Sequence, residues 1–148
     1  MKSILVLEDV DFRIKWLKDA FPDTNVIWCQ DVSSFVAALR DNVADDISLI
    51  ILDHDLGSND PIGGGIIVDI PGNWPLDKDG KTGSDAVKLL CQNDISLSWK
   101  NVPVIVWSLN VRHAEHMVAD LAGNGYVAAQ IPFDRSSFRL RSAIASQL

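Results

Sequence analysis

The 148-residue chain has two cysteines, no long charge-free run and no excess of basic residues. Each absence removes a class of protein. Cys29 and Cys91 lie far apart in apolar contexts, which gives no disulfide framework and no metal-ligand spacing and fits buried free thiols in a reducing cytoplasm. The longest charge-free stretch, Leu121 to Phe133, is too short for a membrane span and is interrupted by Gly123, Asn124, Gly125 and Pro132. Glu8 and Asp9 close the apolar opening Ile4-Leu5-Val6-Leu7, which argues against a secretory leader. A formal charge of −7 works against a broad nucleic-acid-binding surface, which needs basic residues to displace counterions. A small anion or a strand end remains compatible with that charge if local positive charge or a metal holds it. With no internal repeat, linker or low-complexity segment, residues 1–148 read as one domain.

The most informative stretch is Ser48 to Gly57, SLIILDHDLG. Four apolar residues, Leu49 to Leu52, run without alternation into Asp53, His54 and Asp55. Such a run fits a strand of a parallel sheet buried on both faces, and its carboxyl end opens on the crevice where ligands bind in open parallel sheets.

The rest of the chain supplies the neighbours. Ser3 to Leu7 reads as a strand, and Val10 to Phe21 as a helix with Ile14, Leu17 and Phe21 at helical spacing. Asn25 to Cys29 is a short strand, followed by a helix capped by Asp31 and carrying Val32, Phe35, Val36, Leu39 and Val43 on one face. Beyond the central strand, Thr82 to Asn93 resumes helical spacing, with Thr82 or Ser84 as cap, and Val104 to Trp107 is a second buried run ending at Ser108-Leu109-Asn110. The next helix places Ala114, Val118 and Leu121 inward, which turns His113, His116 and Asp120 outward. Tyr126 to Ile131 is a last strand, and a helix around Phe138, Leu140 and Ile144 follows. Five strands alternating with five helices predict an α/β sandwich with a five-stranded parallel sheet. Ser58 to Lys81 breaks the rhythm with three consecutive glycines and a Pro-Gly-Asn-Trp-Pro cluster, an insertion after strand 3 that could form a lid-like hairpin flap.

In strand order 2-1-3-4-5, strands 1 and 3 are neighbours about 4.8 Å apart, so Glu8, Asp9 and Asp53 converge. Three carboxylates that close repel unless something positive sits between them. A hard divalent cation with oxygen ligands, Mg²⁺ or Mn²⁺, would satisfy them; the alternative is a solvated loop of acids.

These residues carry a family resemblance. Glu8-Asp9, Asp53, Ser108 and Pro132-Phe133 follow strands 1, 3, 4 and 5, and in this the chain resembles the receiver domain of two-component response regulators over nearly its whole length. The resemblance implies a flavodoxin-like three-layer sandwich in which the acids bind Mg²⁺, the aspartate accepts a phosphoryl group, the hydroxyl senses it and a lysine before Pro-Phe neutralises it. Ile131 stands at the lysine's place, which argues against ordinary phosphorelay. Asp9 with Arg13, the string Asp53-His54-Asp55-Leu56-Gly57, Thr82-Gly83 with Asp85, and Ser108, Asn110 and Met117 are similar to the receiver-derived family associated with cyclic-phosphate processing. In two places the chain departs from it: Trp107 replaces a histidine and His113 a glycine. This resemblance implies action on a small phosphorylated ligand or an RNA end with a 2′,3′-cyclic phosphate. A plain receiver would instead imply a protein partner.

Cyclic-phosphate hydrolysis needs its nonbridging charge offset, an activated water and a proton for the leaving oxygen. Glu8, Asp9 and Asp53 would hold the metal, Arg13 could clamp phosphate or form a helix-surface ion pair, and His54 could pass a proton or tie the loop together. Asp55 either orients His54 or offers its backbone carbonyl to the metal. Ser108, Asn110 and Thr82 would donate to phosphate oxygens or simply cap helices. Two alternatives to an enzyme stay open: a degenerate receiver acting as a partner-binding module, and a protein that binds a cyclic nucleotide without cleaving it. His113 and His116, three residues apart on a helix, read as a solvated face.

Overall fold

A computed structural model describes residues 3–56, 76–132 and 138–147. Its five strands are β1 (Ser3–Leu7), β2 (Asn25–Cys29), β3 (Ile47–Leu52), β4 (Val104–Ser108) and β5 (Ala128–Pro132). They pair in parallel in the order β2-β1-β3-β4-β5, the flavodoxin-like order expected. Six α-helices are described: α1 (Asp11–Ala20), α2 (Val32–Asp41), α3 (Gly83–Leu90), α4 (Asn93–Trp99), α5 (Val111–Gly123) and α6 (Phe138–Gln147).

The sheet is the middle of three layers. Leu5 and Leu7 of β1 and Ile50 and Leu52 of β3 face one core with Phe35, Val87, Leu90, Met117 and Leu121. Ile4 and Val6, with Leu49 and Ile51, face a second core with Ile14, Leu17, Ile105, Trp107, Ile131 and Ile144. Burial on both faces explains why β1, β3 and β4 are apolar without alternation. β2, at the edge, is only partly buried, and its Trp28 Nε1 donates to the Glu8 carbonyl at 2.6 Å. The β1–β3 pairing contains a bulge: Ser3 pairs with Ile47 and Ile4 with Leu49, so Ser48 is the extra residue. The buried Ser48 hydroxyl has no hydrogen-bond partner among the described residues.

Several local expectations are corrected. A fourth helix, α4, follows α3 almost directly, anchored by buried Trp99 and half-buried Ile95. Val43 lies beyond the end of α2 and is 63% exposed, because the chain has left the helical path that would have carried it inward. On α5 the most buried residues are Ala114, Met117 and Leu121, with Val118 partly buried beside them, so the inward face is centred nearer Met117 than the spacing predicts. Cys29 is buried, but Cys91 is only half-buried; both are free thiols.

Of the insertion, residues 58–75 lie outside the described residues, as does Phe133. The hairpin flap therefore falls outside them. Residues 76–81 are described, and Asp77 organises them: its Oδ1 accepts from the backbone of Asp79 (2.8 Å) and Lys81 (2.9 Å), while Oδ2 accepts from Val32 at the start of α2 (3.0 Å). Among the described residues, no helix is long and apolar enough to cross a membrane.

Candidate functional site

The site lies at the carboxyl ends of β1, β3 and β4. Leu7 pairs with Leu52, so the residues that follow, Glu8 and Asp53, emerge side by side. Asp53 N donates to the Leu7 carbonyl at 3.0 Å, and Glu8 N to the Cys29 carbonyl at 3.0 Å, so both acids leave the sheet on fixed backbones. Glu8, Asp9, Asp53, His54, Asp55, Arg13 and Ser108 are all buried. The acids are therefore not a solvated loop.

Glu8, Asp9 and Asp53 each offer a carboxylate oxygen within 4.8 Å of the others. Arg13, in the first turns of α1, reaches back over them: its Nη1 donates to Glu8 Oε2 at 3.0 Å and to Asp53 Oδ2 at 3.2 Å. It is thus a buried counter-ion to Glu8 and Asp53, rather than part of a helix-surface ion pair. Trp107 lies fully buried beneath it, the guanidinium carbon 5.3 Å from its ring centroid, so the tryptophan supplies an aromatic face for the cation. One guanidinium does not balance three acids in a dry crevice. Burial first, then the Asp53 charge, hold the Glu8 carboxyl well above the usual carboxylate range, and Arg13 only partly opposes them. Burial likewise raises Asp53, against the lowering effect of Arg13 and of a hydrogen bond from the Ser108 hydroxyl.

His54 occupies the second half of the site. Its Nδ1 lies 2.6 Å from Asp55 Oδ1; a carboxylate only accepts, so Nδ1 carries the proton and Nε2 is left for exchange. The same Asp55 oxygen accepts from Asn110 Nδ2 at 3.2 Å, which ties the tip of β3 to the entry of α5. Asn110 Oδ1 in turn accepts from His113 N at 3.3 Å as the α5 cap, and Asn110 N donates to Ser108 Oγ at 3.1 Å.

Thr82 sits apart from this network. Its hydroxyl accepts from Ser84 N at 3.2 Å while its own N–H donates to Asp85 Oδ2 at 2.9 Å, a reciprocal cap of α3. What brings α3 to the site is the next residue. Gly83 N donates to the His54 carbonyl at 2.8 Å, and a Cβ at Gly83 would collide with the Asp53 carbonyl and the His54 Cα. The sequence carried a signal for this, since a glycine opens the helix where better helix formers are usual. His113 was also missed. Although exposed, its ring stacks on His54 with centroids 4.1 Å apart and planes 6° from parallel, whereas His116 lies on the outer face.

No curated protein sequence matches the chain. Solved structures share the fold: the response regulator TrrA from Thermotoga maritima in complex with Mg²⁺-BeF is 15% identical with a TM-score of 0.60, covering 100% of both chains. A two-component response regulator from Clostridium difficile is 11% identical (TM-score 0.63; 99% of this chain, 95% of that one). A response regulator protein from Burkholderia pseudomallei with a phosphorylated aspartic acid, calcium ion and citrate is 14% identical (TM-score 0.57; 99% and 72%). Residues 4–123, which include every site residue described above, match the family described as the cyclic-phosphate processing receiver domain, and the chain belongs to that family.

Proposed function

We propose that the crevice binds a divalent cation, Mg²⁺ or Mn²⁺, through Glu8, Asp9 and Asp53 and hydrolyses a cyclic phosphate, such as a 2′,3′-cyclic phosphate RNA end or related nucleotide. The observation that carries this reading is the buried His54–Asp55 pair set beside the three-carboxylate cluster. Phosphoacceptor chemistry on an aspartate has no need of such a pair, and an acid–base step does.

The charge balance supports the cation. A phosphate will not enter a cluster in which acids outnumber the guanidinium without further positive charge. The donor set, three carboxylate oxygens, suits a hard ion, and two of the structural relatives carry Mg²⁺ or Ca²⁺. When bound, the ion would supply the positive charge that polarises the phosphoryl oxygens.

The chain's own residues do the rest. Arg13 neutralises part of the acid cluster. The Ser108 hydroxyl and the Asn110 amide stand at the end of β4 to meet phosphoryl oxygens. Hydrolysis forms a bond from a water oxygen to phosphorus and breaks one ring P–O bond. His54 Nε2 takes a proton from the water and returns one to the leaving ribose oxygen, so the product is a monophosphate. Asp55 holds the imidazole in the tautomer this needs. Thr82 acts by placing Gly83 against the β3 tip rather than by touching ligand.

A second reading, a receiver that signals through Asp53, draws on the buried Ser108 hydroxyl at the end of β4, the strand beside β3. Incubation with 2′,3′-cyclic nucleotides and Mg²⁺ or Mn²⁺ should yield a monophosphate, with turnover lost in Asp53→Ala and His54→Ala. No product with either metal, together with labelling of Asp53 by acetyl phosphate, would overturn hydrolysis in favour of signalling. Tight binding without turnover would make the chain a cyclic-nucleotide-binding protein.

A further inference from the structure

The site contains a closed circuit of four side chains drawn from two elements. His54 Nδ1 meets Asp55 Oδ1 at 2.6 Å, Asp55 Oδ1 accepts from Asn110, and Asn110 Oδ1 accepts from the His113 backbone. The His113 ring then returns to lie flat on His54, at 4.1 Å and 6°. Each contact removes a different freedom. A single edge hydrogen bond leaves an imidazole able to swing about the Nδ1–oxygen axis. A parallel ring against its face removes that swing.

We propose that His113 is a positioning residue for His54: its stacked ring fixes the plane of the buried imidazole and so the direction in which Nε2 points. This deepens the proposed function and rests on it only where turnover is measured. His113 stands on α5, a helix packed against β5, α3 and β4, so its ring is carried on a rigid element and not on a loop. Desolvation, then the neighbouring His54, lower the His113 imidazole from its ordinary pKa. Asp55, just beyond β3, opposes the lowering, and His116 and Arg112 on the same helix add to it.

The test compares wild type, His113→Ala and His113→Phe, the last keeping a flat ring. Nitrogen-15 NMR of the histidine side chains reads the His54 tautomer directly and does not require a substrate. Wild type and His113→Phe should show one Nδ1-protonated tautomer with a slowly exchanging proton, and His113→Ala should show tautomer averaging and loss of that proton signal. With a 2′,3′-cyclic nucleotide, His113→Ala should lower kcat by about tenfold to a hundredfold with little change in KM, and His113→Phe should restore it. An unchanged His54 tautomer and proton signal in His113→Ala overturns the inference. Absence of turnover in the wild type would count against hydrolysis alone, since the NMR result stands independently of it.

Discussion

Replacing Arg13 with glutamine removes the buried guanidinium that faces both Glu8 Oε2 (3.0 Å) and Asp53 Oδ2 (3.2 Å). Breaking a buried ion pair at one partner costs about 3–5 kcal/mol, because the remaining charge stays desolvated. At about 2–4 °C per kcal/mol for a chain of this size, the unfolding midpoint should fall by about 6–20 °C. Its pH dependence has a definite sign. Folded-state pKa values of Glu8 and Asp53 lie above their unfolded ones, so the folded protein holds the extra protons, and stability falls as pH rises from the ordinary carboxylate range through the raised values. Without Arg13 those values rise further, so the cost of the substitution should be smallest near the ordinary carboxylate range and grow with pH. Melting curves followed by tryptophan fluorescence, in EDTA and in Mg²⁺, measure this directly. Mg²⁺ should raise the midpoint of Arg13→Gln more than that of wild type, because the ion and the guanidinium serve the same oxygens. A variant that melts within about 2 °C of wild type at pH 8 in EDTA would show that the guanidinium does not compensate the acids.

Three further outcomes follow from the packing. Gly83→Ala should lower stability by at least about 1–3 kcal/mol and impair the site, since the added methyl meets the backbone of Asp53 and His54 rather than a yielding side chain; chemical denaturation gives the value. Asp31→Ala should cost about 1 kcal/mol through loss of the α2 cap. Although burial alone would raise Asp31, hydrogen bonds from Ser34 and the nearby Lys78 lower it overall, so its contribution is present above the ordinary carboxylate pKa and fades as pH falls through the depressed one; Asp31→Asn should flatten that acid limb of the stability curve. Burial, then Asp31, push the Cys29 thiol up to about 12, so alkylation of the native protein at pH 8 should modify half-exposed Cys91 first and reach Cys29 only on unfolding, as read by peptide mass spectrometry.

Some of this was legible because it is written locally. An apolar run that ends in acids declares both a buried strand and a polar tip, so β1 and β3, and with them the convergence of Glu8, Asp9 and Asp53, could be read from Ile4-Leu5-Val6-Leu7 and Leu49 to Leu52. The features that were not legible depend on contacts between distant segments. Arg13 could be placed on α1, but its reach to Asp53, forty positions away, is decided by how α1 packs on the sheet. Helical periodicity turns His113 outward but carries no information about the His54 ring, just beyond β3, that its own ring meets. Trp107 stands where the resembled family has a histidine, and its sequence context does not place its ring under the guanidinium. The helix α4 has a short, weakly patterned sequence, and its buried Trp99 identifies it only once the core is assembled.

The bulge at Ser48 bears on the site from the opposite end of the sheet. Leu49 to Leu52 would fit either core, so the strand's own residues do not choose its phase. If Ser48 were paired in a regular ladder instead of bulged, a ladder begun at Ser3 and Ile47 would bring Asp53 level with Asp9 instead of Glu8 and would exchange the faces of Leu49 to Leu52. One offset about 16 Å below the crevice therefore acts as a vernier for the carboxylates above it. The chemistry at the top of β3 is indexed by a serine at its foot.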